Sequence, residues 1–429
     1  MQKSWFLGMI CLLFSGTVLA GGFQVNLQGV SQTGMGHVGA GLAFDASAQF
    51  FNPGALAKAP RSFVLGTNPI FGRVSYLEHA PGTYNTTNEP TVSTPFSAYG
   101  SWSFEVADGV RMAAGAAVYT PFGSRVLYAD DWKGQFAIRE ISLRAIFVQP
   151  TVAVSFLDGR LGIGGGPVFA FGSVGVRRGI PAQFNDGSYG EVALDGAGNG
   201  LGFNVGIYGE PTERLSLGLS YRSKVAFASE GGSANFTVPS SLAEFFPNTT
   251  FSSEINLPWT ATLGTAYRLN GEHRLAFDVN YVGWSLYQSL DFDFADNTDK
   301  LEDSQSPRNY ENAFIFRVGW QGDFIENLSL RAGTYFDMTP VPDGFTTPET
   351  PDAHKIGIST GASYTLFNQL RLDANFLWVE GMKRTDTNLE MNFGGTYKAR
   401  ALIPGFGLAW IFDEKKNETP QKIEIGPKG

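Results

Sequence analysis

The sequence predicts an all-β protein, a 14-stranded antiparallel transmembrane β-barrel with an N-terminal hatch, or plug, inside its lumen. Three observations predict this class. Runs of about ten residues alternate between apolar and polar side chains, and the connections between them are alternately short and long. About 40 residues ahead of the first run show no such alternation.

The first 20 residues, MQKSWFLGMICLLFSGTVLA, are typical of a secretory signal peptide, with Lys3, an apolar run, and small residues at Val18 and Ala20. Cys11 is the only cysteine and lies in this segment, so the exported chain needs no disulfide. Without Lys3, 30 basic residues face 40 acidic ones, a formal charge of −10. That balance argues against a nucleic-acid partner.

The alternation has the period of a β-strand. In 328–337, Leu328, Leu330, Ala332 and Phe336 share one face, and polar residues fill much of the other. A soluble β-sandwich or solenoid shows the same alternation, so the pattern needs a second observation.

The connections supply that observation. The short ones are 157–160, 210–214, 269–272, 323–327 and 367–369. The long ones are roughly 79–90, 121–138, 178–199, 232–254, 291–309, 338–353 and 381–396. Strict alternation of the two kinds is typical of outer-membrane barrels, which have periplasmic turns and extended external loops. The sandwich and the solenoid do not explain it.

The barrel is predicted over 61–412. Its strands are 61–78, 91–105, 109–120, 139–157, 161–177, 200–209, 215–230, 256–269, 273–290, 310–323, 328–337, 354–366, 370–380 and 397–412. Beyond the signal peptide no run of 18 apolar residues predicts a spanning helix. A closed sheet satisfies every backbone group, as hydrocarbon requires. Trp320, Trp378, Trp410 and Phe412 lie near strand ends, where an aromatic girdle is expected.

Residues 21–60 are rich in Gly and Ala, too few to build a core of their own, and are predicted to plug the lumen. Gly34, Gly36 and Gly39 have the G-x-G-x-x-G spacing of a dinucleotide site. That spacing is informative only within a βαβ unit, and an exported nicotinamide enzyme would be unusual. We therefore expect these glycines to let the chain turn in a confined space.

Several motifs resemble one family. FFNPGAL (50–56), with Asn52, Pro53 and Gly54, resembles the Asn-Pro-Ala hatch motif of the FadL/TodX family of outer-membrane long-chain fatty acid and hydrophobic-compound transporters. Further matches are GAAVYTPFG (115–123), LSYRSKVAF (219–227), INLPWTATLG (255–264), YVGWSLYQSL (281–290) and RAGTYFDMTPVP (331–342). The resemblance covers nearly the whole exported chain and departs at Gly54, where many members have Ala.

The resemblance implies a 14-stranded barrel in the bacterial outer membrane, closed by the hatch, with lateral release of ligand through a kink in the third strand. The implied function is passive transport of hydrophobic compounds, long-chain fatty acids first. Alternatives are aromatic hydrocarbons or alkanes by the same route, or, in another class, a general diffusion porin. Expected partners are those small molecules, outer-membrane lipid and lipopolysaccharide; the protein is expected to be a monomer without a cofactor.

Apolar residues in the external loops are the candidates for ligand capture. We expect landing surfaces in 178–199 and 232–254, the second with Leu242, Phe245, Phe246 and Phe251. Phe23 in the hatch belongs to the same set of ligand-binding candidates. The alternative is that these residues only pack one loop on another.

Inward-facing arginines are candidates for a fatty-acid carboxylate. Arg317 and Arg331 are chosen among a set that also contains Arg222, Arg268 and Arg371. The alternative is that these arginines form salt bridges along the wall with inward aspartates.

The third strand carries only small residues over 113–117. Gly115 and Ala116 are therefore candidates for a lateral opening or bulge. The alternative is close contact with the hatch.

Catalysis and metal binding have little support. None of His37, His79, His273 and His354 shares a strand face with a serine nucleophile, so we expect no enzyme. The acidic loop 290–304 lacks the spacing and glycine of an EF-hand, so we expect no metal.

The last 17 residues, 413–429, contain four acids, four lysines and two prolines, and are predicted to be a polar periplasmic tail. Phe412 just before them has the character of the terminal aromatic residue of such barrels. We expect its strand to engage the barrel-assembly machinery.

Overall fold

Fourteen antiparallel strands close into a barrel in the computed structural model, which describes residues 22–412. They are β1 (Ser62–Thr67 and Ile70–Glu78), β2 (Phe96–Ala107), β3 (Val110–Leu127), β4 (Glu140–Phe156), β5 (Leu161–Gln183), β6 (Tyr189–Gly209), β7 (Leu215–Arg222 and Val225–Thr237), β8 (Thr249–Leu257 and Thr260–Arg268), β9 (His273–Val282 and Ser289–Phe294), β10 (Ala313–Ile325), β11 (Leu328–Asp337), β12 (Lys355–Leu366), β13 (Leu370–Gly381) and β14 (Phe393–Ile411). The predicted strand number and antiparallel pairing are confirmed.

The barrel closes where β14 pairs with β1, from Ser62 opposite Ile411 to Thr67 opposite Phe406. Four short strands, Asn85–Thr87, Thr91–Ser93, Ser304–Pro307 and Arg384–Asn388, extend the wall at the end with the long connections. Among the described residues, no helix has the length and apolar character to cross a membrane.

The two faces of the wall differ in chemistry, as the alternation predicts. On β10, Phe314, Phe316 and Val318 point outward and are exposed, whereas Ile315 and Arg317 point inward and are buried. The outward face is therefore apolar, and the lumen contains polar side chains.

Several predicted external loops are wrong in their extent, two of them by the most. Within 178–199, β5 continues to Gln183 and β6 begins at Tyr189; within 232–254, β7 continues to Thr237 and β8 begins at Thr249. These extensions are rich in Gly and polar residues, so they carry little of the apolar face from which a strand is recognised in sequence.

Residues 22–60 fill the lumen, and none of them is exposed. They form two single-turn helices, α1 (Val30–Thr33) and α2 (Ala48–Phe51), and a 3-10 turn, Pro53–Ala55. One turn is too short to show helical periodicity, which is why the sequence of the hatch appeared unpatterned. The predicted signal peptide (1–20) and polar tail (413–429) lie outside the described residues.

Candidate functional site

Asn52 ties three parts of the molecule together. Its Oδ1 accepts a hydrogen bond from the Gly54 amide at 3.0 Å, which caps the 3-10 turn. Its Nδ2 donates to the Ala40 carbonyl at 2.8 Å and to the Ile207 carbonyl of β6 at 2.9 Å. The hatch motif is therefore a three-way junction between two hatch segments and the wall.

Polar side chains of the wall bind the backbone carbonyls just before this motif. Gln149 Nε2 and Asn204 Nδ2 donate to the Gln49 carbonyl at 2.8 and 3.0 Å. Ser220 Oγ donates to the Phe51 carbonyl at 2.9 Å, and Arg222 Nη2 donates to the Phe50 carbonyl at 2.8 Å. These contacts fix the second half of the hatch to β4, β6 and β7.

Gln149, Asn204 and Ser220 are site residues that the sequence analysis did not select. The signal that could have found them is a polar amide or hydroxyl on the inward face of a spanning strand. In a lumen filled by the hatch, such groups have backbone carbonyls within reach.

The glycines of the G-x-G-x-x-G run lie where the hatch approaches the wall or folds on itself. Gly36 has a positive φ of 70°, and a Cβ there would lie 2.6 Å from the Val318 carbonyl oxygen. A Cβ on Gly34 would lie 2.9 Å from the Gly361 Cα, and one on Gly39 would meet the Phe51 ring. These three glycines therefore allow the hatch to pack closely against the wall and on itself, in the confined space expected from the sequence.

Asp278 and Arg317 hold the same hatch segment. Asp278 Oδ2 accepts from the amides of Gly39 and Ala40 at 2.7 and 3.0 Å. Arg317 donates to Asn280 Oδ1 at 2.8 Å, and its Nη1 lies 3.5 Å from the Gly36 carbonyl oxygen. The segment is thus bound by a carboxylate on β9 and a guanidinium on β10.

His37 lies in the lumen beside these groups. Burial lowers the pKa of His37 well below its usual value, and Arg317 and Arg222 lower it further. The ring is therefore neutral, so its Nε2 can accept the hydrogen bond from the Gln28 amide at 3.1 Å. Its role in the described structure is to position the hatch.

Arg331 and Arg371 lie in a polar network at the other side of the hatch. Arg331 donates to Gln321 Oε1 at 2.8 Å and to Ser363 Oγ. Arg371 pairs with Asp373 of its own strand and with Asp45 of the hatch. Burial alone would raise the pKa of Asp45, but Arg371 and Ser47 lower it below its usual value. Arg317 and Arg331 thus make hydrogen bonds to neutral groups of the wall and the hatch, and the expected roles of these two arginines stay predictions.

A cavity of about 660 Å³ opens at the end with the long connections. Its apolar lining includes Leu242 and Phe246, from the predicted landing loop, with Phe292 and Phe294 of β9. Phe251 is buried and lies 5.3 Å from the Phe292 ring, behind the lining. Phe245 is outside the lining and faces Lys300, whose Nζ is 4.6 Å from its ring.

Three cations reach the same cavity. Arg308 is paired with Glu349 at 3.1 Å. Within residues 22–412, the Arg178 guanidinium makes no hydrogen bond or ion pair, and Lys300 makes no ion pair. Glu302 and Glu390 also line the cavity. The charges of Glu390 and Glu349 act on Arg178 at longer range without a direct ion pair. The Arg178 guanidinium and the Lys300 ammonium can therefore still bind an anionic group on an apolar ligand.

The start of the hatch adds a short bridge to β3. The Val25 amide donates to the Pro121 carbonyl at 2.8 Å, and the Gly123 amide donates to the Phe23 carbonyl at 3.1 Å. At this point β3 has a bulge, since its register with β4 shifts between Tyr119 and Phe122. The backbone of β3 thus turns from its neighbour strand toward the hatch.

Gly115 and Ala116, the candidates for a lateral opening, lie in a regular part of β3 that pairs continuously with β2 and β4. A Cβ on Gly115 would lie 2.7 Å from Gln49 Oε1, and Gln49 Nε2 donates to the Gly100 carbonyl at 3.1 Å. Close contact with the hatch, the alternative given for these residues, matches this geometry. The irregular part of β3, from Tyr119 to Phe122, lies four to seven residues beyond Gly115.

Phe23 lies at the centre of an aromatic cluster. Its ring centroid is 4.9 Å from Trp284, 5.5 Å from Tyr287 and 6.1 Å from Phe122. This cluster is continuous with Phe292 of the external cavity. Two residues later, Val25 lines a second cavity of about 270 Å³ between the hatch and the wall. The segment 23–25 therefore contacts both the external cluster and the inner cavity.

A closed antiparallel barrel with an apolar outer face, a lumen filled by its own N-terminal segment and an apolar cavity at one end defines an outer-membrane channel with an internal plug. Residues 11–412 match the family described as outer membrane protein transport protein (OMPP1/FadL/TodX). The chain belongs to this family, whose members transport hydrophobic compounds across the outer membrane.

The relatives match most of the chain. The long-chain fatty acid transport protein of Escherichia coli is 23% identical, over 97% of this chain and 99% of that protein. Outer membrane protein P1 of Haemophilus influenzae is 23% identical over 70% of this chain and 71% of that protein.

Solved structures share the fold. A Pseudomonas aeruginosa FadL homologue superimposes with a TM-score of 0.76 at 19% identity, covering 93% of this chain and all of that one. The Ralstonia pickettii toluene transporter TbuX gives a TM-score of 0.65 at 14% identity, covering 90% of this chain and all of that one. The predicted family and outer-membrane location are confirmed.

Proposed function

We propose that this protein carries long-chain fatty acids passively across the outer membrane, by capture at the external cavity, rearrangement of the hatch and lateral release through the wall. The observation that carries the proposal is the pairing of an apolar cavity of about 660 Å³ with two cations, Arg178 and Lys300, that no carboxylate neutralises by an ion pair. A neutral hydrocarbon cannot form an ion pair with these cations, whereas the carboxylate of a fatty acid can.

The size and chemistry of the cavity suit an acyl chain. Its volume is within the usual range for a small-molecule site, roughly 300–1,000 Å³. Burial of each methylene contributes about 0.8 kcal/mol, so a long chain is held by Leu242, Phe246 and Phe292 without polar contacts. The carboxylate then lies beside the cations. Leu242, Phe246, Phe251 and Phe23 stay our proposed contacts for the apolar part.

The proposed route passes the start of the hatch. Phe23 packs in the cluster that reaches the external cavity, and Val25 lines the inner cavity of about 270 Å³. Movement of 23–25 would join these spaces and break the two hydrogen bonds to the β3 bulge. The bulge then offers the ligand a gap in the wall, which supports release between β3 and β4.

The test is a comparison of charged and neutral ligands. In the variant Arg178→Gln/Lys300→Gln, we expect the affinity for oleate to fall about tenfold or more while the affinity for hexadecane is unchanged. Arg177→Gln is the control, because Arg177 is the neighbour of Arg178 but is paired with Glu191 at 2.8 Å. Equal affinities for oleate in wild type and variant would favour the alternative of neutral hydrocarbons. Large, steady ion conductance of the wild type would favour a porin.

We propose further that the protein is not an enzyme and acts as a monomer. The closed barrel leaves no unpaired edge strand for a second copy to extend. Lipopolysaccharide is the proposed lipid partner, supported by Arg73, Lys398 and Arg400, which are exposed on neighbouring strands β1 and β14 outward of the apolar Phe71 and Leu402. Lys398 and Arg400 share one carboxylate, Glu380, at 2.6 and 2.7 Å, so the group keeps a net positive charge.

A further inference from the structure

Three arginines lie side by side at the periplasmic rim of the barrel. Arg268 at the end of β8 is directly opposite Arg274 at the start of β9. The Arg268 amide also donates to the carbonyl of Arg214, which precedes β7, at 2.8 Å. Like charges on adjacent strands repel, so this row is unfavourable without a counter-charge.

The three side chains line one small cavity of about 140 Å³ between the wall and the hatch. Lys58 lines it as a fourth cation, and the hatch residues 41–43 form its inner side. The Arg274 guanidinium lies 5.4 Å from the ring of Phe44, so it packs on the hatch itself. The cavity is therefore part of the interface between hatch and barrel.

The carboxylates at the cavity do not neutralise the row. Glu210 pairs with Lys58, the fourth cation of the cavity, at 3.2 Å and accepts a hydrogen bond from the Tyr208 hydroxyl at 2.6 Å. Glu213 also lines the cavity. Within the described part of the chain, neither Glu213 nor any of the three arginines forms an ion pair. Four cations against two carboxylates leave a surplus of two positive charges.

We propose that this cavity binds a phosphate dianion from the periplasm, either inorganic phosphate or a small phosphate monoester. A dianion matches the surplus of two charges, and the guanidinium fork matches phosphate oxygens. Ser216 lines the cavity and donates to the Gly41 carbonyl at 2.7 Å, so the site lies on the inner face of the rim. Lipid headgroups outside the barrel are on the opposite face of the wall. Bound phosphate would join the rim to the hatch.

The experiment titrates inorganic phosphate into the full-length protein in neutral detergent at low salt, by calorimetry. We expect saturable binding at one site, and an affinity about tenfold lower or worse in Arg268→Gln/Arg274→Gln. Arg160→Gln is the matched control, since Arg160 is an exposed arginine of another periplasmic turn outside the cavity. Heat-dependent gel mobility checks that each variant forms a folded barrel.

Absence of saturable phosphate binding by the wild type, or equal affinity in the double variant, would overturn the proposal. A second arm repeats the titration in nanodiscs of phosphatidylglycerol and of phosphatidylcholine. A site for soluble phosphate gives the same affinity in both. Weaker phosphate binding in phosphatidylglycerol alone would assign the pocket to a lipid headgroup and contradict the proposal. The outcome is independent of fatty-acid binding, whose test uses residues at the other end of the barrel.

Discussion

Asn52 makes three hydrogen bonds at the junction between the hatch and the wall, one through Oδ1 and two through Nδ2. Few side chains could replace it, because Asp has no donor for the Ala40 and Ile207 carbonyls and Gln is longer by a methylene. The wall leaves room for Asn52 at Gly206, because a Cβ on Gly206 would lie only 2.1 Å from Asn52 Oδ1. The residue is therefore specific to this site in both chemistry and size.

Asn52→Ala should loosen the hatch and leave the barrel intact. Loss of three buried hydrogen bonds of about 1 kcal/mol each predicts a local destabilisation of roughly 2–4 kcal/mol. We expect more frequent open-channel bursts in planar bilayers. Asn235→Ala is the control, because Asn235 is exposed on the outer part of β7. Identical burst frequencies in the two variants would show that Asn52 does not hold the hatch closed.

At this scale the sequence selected some residues that line the external cavity or the hatch junction and others that lie elsewhere in the structure. Asn52 was found through the family motif, and Leu242 and Phe246 through their unusual apolar character in a loop. Arg317 and Arg331 were selected because they face inward, but facing inward does not tell whether a side chain meets the hatch or an open cavity. Arg178 was missed because it fell in a predicted loop, where a single cation is unremarkable.

Among the elements, β3 differs from its neighbours by one extra residue. Its register with β4 advances three positions, from Tyr119 to Phe122, while β4 advances two, from Phe147 to Ala145. Pro121 has no amide to give to a neighbour strand, so it fits a bulge. Its carbonyl is used by the Val25 amide. The sequence analysis ended its third strand at 120, one residue before Pro121.

Deletion of Pro121 should restore a regular ladder between β3 and β4. We expect oleate uptake by cells to fall severalfold or more, because the proposed gap closes, while oleate binding in detergent is retained. The control is Pro121→Ala, which keeps the extra residue and hence the bulge. Normal uptake after the deletion would exclude this part of the wall as the exit.

The alternation pattern does not predict the parts of the strands that extend beyond the membrane. Residues 190–200 pair along β5 and β7, yet four of them are glycines, Gly190, Gly196, Gly198 and Gly200. The alternation rule depends on one face meeting lipid and the other meeting the lumen. Beyond the membrane that difference disappears, and with it the signal.

For the whole molecule, we predict that the hatch is the barrier to ions. It fills the lumen from Gly22 to Pro60 without an exposed residue. Deletion of 23–56 should therefore raise single-channel conductance severalfold, measured in planar bilayers against the wild type. An unchanged conductance would mean that another part of the chain closes the lumen.

The seam between the first and last strands sets the end of the barrel. The Phe412 amide donates to the Arg61 carbonyl at 2.9 Å, and its ring lies 5.3 Å from Trp102. We expect Phe412→Ala to impair insertion, because the seam loses its terminal aromatic contact. Truncation after Phe412 should leave insertion and uptake near normal, because Phe412 itself makes the seam contacts named above. Membrane fractionation and heat-dependent gel mobility measure both. The reverse outcome would place the end of the barrel beyond Phe412.

The architecture of the whole molecule was the easiest part to predict. Fourteen strands follow from local alternation and from the order of short and long connections, both of which depend on nearby residues. The internal structure of the hatch could not be predicted in the same way. Asp45 forms an ion pair with Arg371, and the Gly39 amide donates to Asp278; each pair is separated by more than 200 residues of sequence, so local patterns do not reveal it.

The wall recognises the second half of the hatch chiefly by its main chain. Gln149, Asn204, Ser220 and Arg222 all bind carbonyl oxygens of residues 49–51, which every amino acid possesses. When the wall binds backbone carbonyls, the docking hydrogen bonds do not depend on which side chains the hatch carries at these positions. Substitution of Phe51 is then limited by shape and volume rather than by partner chemistry, whereas Gln49 also donates to the Gly100 carbonyl and Phe50 lies under the Arg222 guanidinium. A hatch grafted from a distant relative would find the same wall donors for its backbone carbonyls in the host barrel.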